Sequence, residues 1–100
     1  MKQIDLQQAS TVVRLSDEFL LALISYECLD TEEDRRRNLF KVDETGMVLW
    51  QVGDYVATPS LSTFTNVELR NQEVWAFNFD GGLYRIDQGS GAVLASNFVK

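Results

Sequence analysis

A repeat constrains this chain more than any other feature. Residues 13–26 read VRLSDEFLLALISY and residues 67–80 read VELRNQEVWAFNFD. Each copy holds a short alternating run, a polar turn and a longer apolar run. A second matching pair follows each: NLFKVDETGMVLW at 38–50 against GLYRIDQGSGAVL at 82–94, with one residue inserted in the turn. Repetition on this scale is one supersecondary unit used again, so the fold has to be assembled from two such units.

One hundred residues suffice for one domain with one core. The expected organisation is a single domain over 1–100. It has a polar lead-in at 1–10, repeat 1 at about 11–52, a linker at 53–63 that carries the only proline, Pro59, and repeat 2 at about 64–99. The hydrophobic fraction of 45% is that of a globular chain, not a disordered one. The longest apolar run, 19–24, is too short to span a bilayer. Residues 1–6 lack the apolar stretch of a signal peptide. The lone Cys28 has no partner for an internal disulfide. Together these features predict a cytoplasmic protein.

Strand signals begin at Thr11. Residues 11–15 alternate, 16–18 form a turn, and 19–26 are rich in apolar residues. Taken alone, Ser16 followed by two acids could instead cap a helix over 19–29. The counterpart at 73–79, with its aromatic and branched residues, favours strand for both copies. Further strands are expected at 39–42, 47–52, 64–69, 83–86 and 92–98, separated by turns, with Gly46 in a left-handed conformation. The fold class is therefore all-β, an antiparallel meander of about eight strands in two repeats. Trp50, Trp75, Phe77 and Tyr84 are expected in its core. The glycines at 81–82 and 89–91 have strands on both sides, so they read as turns and not as phosphate loops.

The runs LFKVDETGMVLW at 39–50 and LYRIDQGSGAVL at 83–94 resemble the pyrroloquinoline-quinone-type β-propeller repeat. That family writes the last two strands of a blade as an apolar–aromatic pair, an Asp, a Thr/Ser-Gly turn and an aliphatic run often ending in Trp. The first run lacks one turn residue, and the second has Ala95 where the Trp would fall. The resemblance implies two propeller-blade-like units. It implies no quinone or calcium site, since the family's ligands have no counterparts here, and no cofactor is expected. Propellers close with about four to eight blades. Two blades must therefore join other chains or curl into a small sandwich or barrel.

The chain has no histidine, which removes the usual general base of triads and dyads. Cys28 then lacks a partner that would activate it and reads as a small half-buried residue at a strand end. No catalytic residue and no metal ligand set is expected. The net charge of −6 argues against nucleic acid and anionic membrane and favours a basic protein partner. The insertion that sets repeat 1 apart carries Glu27, Asp30, Glu32, Glu33 and Asp34, five acids in eight positions, followed by Arg35, Arg36 and Arg37. These eight residues are the candidate partner-binding site, with the arginines able to pin the acids or to donate to a partner. In size, charge and missing chemistry the chain resembles small bacterial immunity and antitoxin proteins. The expected function is thus a non-enzymatic inhibitor that blocks a basic toxin, such as a nuclease. Two alternatives stand beside it: a homo-oligomeric module that completes a propeller as a dimer or trimer through open edges at 11–15 and 92–98, and a small-ligand protein or enzyme built on paired carboxylates.

Overall fold

Among the described residues, eight strands form two four-stranded antiparallel sheets, each a simple meander. The first holds β1 (Ala9–Arg14), β2 (Phe19–Ile24), β3 (Leu39–Asp43) and β4 (Val48–Gln51). The second holds β5 (Phe64–Arg70), β6 (Glu73–Asn78), β7 (Gly82–Ile86) and β8 (Val93–Phe98). This computed structural model describes residues 2–53 and 62–98, with the side chains of 95–98 excepted. Pro59 and most of the expected linker lie outside the described residues.

Residues 19–24 are strand and not helix because both of their faces are buried. Leu20, Ala22 and Ile24 point to one side, Leu21 and Leu23 to the other, and β2 is paired along both edges. A doubly covered central strand reads as a continuous apolar run, the pattern that made this segment ambiguous. The strand stops at Ile24, two residues earlier than expected, and a single 3-10 turn at Tyr26–Cys28 follows. Cys28 is exposed on that turn rather than half-buried.

Cross-strand register makes the repeat explicit. Ala22 faces Phe40 and Leu20 faces Val42 in the first sheet, as Ala76 faces Tyr84 and Val74 faces Ile86 in the second. On the opposite sides, Leu21 faces Lys41 and Leu23 faces Leu39, as Trp75 faces Arg85 and Phe77 faces Leu83. The shared core joins Leu21, Leu23, Leu39, Trp50 and Val52 to Val67, Val74, Ala76, Tyr84 and Ile86. Equivalent faces therefore do not meet each other. The first sheet contributes its Leu21/Leu39 side, and the second contributes the side equivalent to Ala22/Phe40. The sheets stack face to back, so Trp75 and Phe77 fall on the outer side of the second sheet and are only half-buried, whereas Trp50 and Tyr84 are core.

The remaining side of the first sheet, Leu20, Ala22, Ile24, Phe40 and Val42, is covered by Ile4, Leu6, Ala9 and Leu29. The lead-in is thus part of the fold. Gln3 bridges Met47, Ile4 N–H donates to Gly46 O at 2.9 Å, and Val48 N–H donates to Lys2 O at 3.0 Å. Gly46, with φ +91°, closes the β3–β4 turn as expected. It also lets the lead-in approach, for a Cβ there would lie 2.2 Å from Ile4 O. In that turn the Asp43 carboxylate accepts from the Thr45 hydroxyl at 2.6 Å, Thr45 N–H at 2.8 Å and Met47 N–H at 3.1 Å. These donors, the hydroxyl foremost, hold its pKa below the ordinary carboxylate value.

Polar locks join the two sheets. Buried Asn38 donates to Ile24 O at 2.8 Å and to Phe64 O at 2.9 Å, and accepts from Phe64 N–H at 2.8 Å. Trp50 Nε1–H donates to Gln88 O at 2.8 Å, where Lys41 Nζ also arrives at 3.2 Å. Within the second sheet, the Tyr84 hydroxyl donates to Asp80 Oδ2 at 2.5 Å. Burial first, then the bond to Asp80 and its charge, push the phenol up to about 12 from an ordinary 10. A pKa raised on folding means the folded state holds the proton more tightly. This stabilisation is complete below about pH 10 and disappears as pH rises through about 12. Alkaline unfolding is therefore expected to steepen between those values, and Tyr84→Phe should remove that component from a pH series of urea midpoints.

Candidate protein-binding site

The insertion between β2 and β3 is a built structure, not a free charge run. Thr31 Oγ1 accepts from Asp34 N–H at 3.1 Å and caps a short helix, α1 (Glu32–Arg36). Acids fill the first turn and arginines the last, the order that complements the helix dipole. Arg35 Nε–H donates to Leu29 O at 2.8 Å, and its guanidinium lies 5.7 Å from the centre of the Tyr26 ring. Arg37 reaches Val52 O and Glu33 Oε1, both at 2.8 Å. Arg35 and Arg37 thus tie the segment down, though only Arg37 does so through one of the acids, Glu33.

The eight residues singled out from sequence divide into two groups. Asp34 is a structural anchor: its Oδ1 accepts from Lys2 Nζ at 2.8 Å and from Gln51 Nε2 at 2.9 Å. The Lys2 bond chiefly, and the Gln51 bond next, lower its pKa despite partial burial. Arg35 and Arg37 are likewise engaged within the chain. Glu27, Asp30, Glu32, Glu33 and Arg36 are exposed. Glu27 accepts from Ser25 Oγ at 3.2 Å and Glu33 from Arg37, contacts at the surface that leave both carboxylates facing water. The result is four carboxylates fixed on one small scaffold.

Beside them runs a groove of about 530 Å³, lined by Tyr26, Glu32, Arg35, Arg36, Thr63 and Phe79 among others. It lies between the insertion of repeat 1 and the β5 and β6 ends of repeat 2. Tyr26 is 53% and Phe79 76% exposed, the highest values among the large hydrophobic side chains described. Phe79 is held there by its own N–H, which donates to Thr63 O at 2.9 Å. Exposed aromatics beside arginine are the composition of binding hot spots. Sequence reading missed both, having assigned them to strands. The signal was present in VWAFNF, where small or polar residues alternate with Trp75, Phe77 and Phe79: the bulky set is the outward one.

Among the described residues no three His, Cys, Asp or Glu side chains come together as metal ligands would. No helix among them is long and apolar enough to cross a membrane. A family model described as a domain of unknown function (DUF7957) matches residues 1–98. The chain belongs to this DUF7957 family. The match spans the lead-in, both repeats and the insertion, so the candidate site lies wholly within the family's domain. No curated protein and no solved structure matches the chain.

Proposed function

We propose that this DUF7957 chain is a non-enzymatic protein-binding module that engages a basic partner through Glu27, Asp30, Glu32 and Glu33. In this reading it acts as an immunity- or antitoxin-type inhibitor, covering the basic surface of a toxin such as a nuclease. The observation that carries the proposal is the preorganised insertion: exposed carboxylates on a capped, arginine-pinned scaffold beside the Tyr26–Phe79 groove. Fixed charges steer encounter with a partner of opposite sign. The adjacent aromatics supply the apolar area that slows dissociation.

The first experiment is capture of partners from the native host with the tagged protein, followed by binding kinetics on whatever basic polypeptide is recovered. Changing Glu27, Glu32 and Glu33 to Gln and Asp30 to Asn should slow association by about tenfold to a hundredfold and flatten its salt dependence. The urea midpoint should move little, because these side chains are exposed. Asp34 is left unchanged, since removing it would test folding and not recognition. Unaltered association kinetics in the fourfold variant would sink the proposal.

A further inference from the structure

The face-to-back stack leaves each sheet with one side outside the shared core, and the two sides are treated differently. Trp75, Phe77, Leu83 and Arg85 of the second sheet occupy the positions that Leu21, Leu23, Leu39 and Lys41 occupy in the first. In the first sheet those positions receive the next sheet. The side that would complete such a stack is Leu20, Ala22, Phe40 and Val42, the equivalent of the Val74, Ala76, Tyr84 and Ile86 side that docks within the chain. Here it is covered by Ile4 and Leu6 of the lead-in, together with Ala9 and Leu29. We infer that residues 2–8 are a cap standing in for a neighbouring sheet, and that their release lets the first sheet of one copy stack on the second sheet of another.

Three observations support a second copy as the occupant. Both halves of the contact already exist in this chain as an internal interface between equivalent positions. The receiving side is charge-balanced, with Arg85 paired to Glu73 at 2.9 Å and Arg70 paired to Glu68, so the net charge of −6 does not forbid self-contact there. The cap is only partly buried, with Ile4 and Leu6 packed on the sheet. The rest of its hold is two backbone hydrogen bonds to the β3–β4 turn, Gln3 Nε2 donating to Thr45 O at 2.8 Å, the part-exposed Lys2–Asp34 ion pair at 2.8 Å, and Lys2 lying 5.2 Å from the Phe40 ring centre. Such a contact is heterologous, head to tail, and builds rings or filaments according to its rotation.

The test is the full chain carrying Ile4→Asp and Leu6→Asp, examined by sedimentation velocity and circular dichroism beside the unchanged protein. The expected result is a concentration-dependent rise to at least twice the mass of the unchanged protein with strand content retained. Adding Trp75→Glu, on the receiving side, should restore the original mass. A folded cap variant whose mass does not change would overturn the inference. So would association or precipitation that Trp75→Glu leaves unaltered, since that contact would not be the stacked one. Asp34 and Leu29 of the insertion do contact the cap and the side it covers. None of these substitutions touches Glu27, Asp30, Glu32 or Glu33, however, and the readout is self-association, so failure here and failure of the binding function proposed above are distinguishable.

Discussion

Replacing Asn38 by alanine is expected to lower the free energy of unfolding by about 3–5 kcal/mol, a large share of what a domain of this size has. The side chain is 1% exposed and satisfies Ile24 O, Phe64 O and Phe64 N–H. Alanine leaves those backbone groups buried without partners, and the vacated space lies inside the junction of the two sheets. An unpaired buried polar group costs about 1–3 kcal/mol, so the loss exceeds the net worth of the bonds themselves. Asn78 offers an internal comparison. It makes the same reciprocal pair with Ser62, donating at 2.7 Å and accepting at 3.1 Å, but Ser62 is only half-buried. Water can take over there, and Asn78→Ala should cost about 1–2 kcal/mol. Urea unfolding of both variants checks the pair. Equal losses would mean that Asn38 is no special lock.

Gly91→Ala is expected to destabilise by about 2–4 kcal/mol, for two separable reasons. Gly91 has φ +80°, and a Cβ there would lie 2.6 Å from Trp50 Cε3. The first reason is local backbone strain, and the second is collision with a ring that Gln88 O holds in place. Trp50→Ala removes the collision while itself costing about 3–5 kcal/mol. In that background Gly91→Ala should cost only the backbone part, about 1 kcal/mol. The double-mutant cycle thus yields a coupling of about 1–3 kcal/mol between two residues 41 positions apart in the sequence. Additive losses would show that the turn does not rest on the ring.

These two sites show why part of the structure could be read in advance and part could not. The Asp-x-Thr-Gly and Asp-x-x-Ser-Gly turns act locally, with Asp43 and Asp87 accepting from residues two to four positions on. Such short-range chemistry fixes a hairpin whatever surrounds it. Asn38 looks like any polar residue before a strand, and its role exists only once Phe64 arrives from the other repeat. The candidate site divides in the same way. That the acids belong to an insertion absent from the second copy was legible. That Asp34 is spent on Lys2 and Gln51, while Tyr26 and Phe79 are exposed beside Arg36, depends on segments brought together from across the chain.

By itself the sequence determined the number of repeats, the antiparallel pairing within each, the turn chemistry, the missing histidine and the place of the charged insertion. All of these follow from side chains acting over a few residues or from composition. Tertiary structure alone decided that the sheets stack face to back, that the lead-in covers one of them, and which aromatics point outward. In a strand buried on both sides the apolar pattern is continuous, so alternation no longer says which face meets which partner. That choice is made by the packing of one sheet on the next.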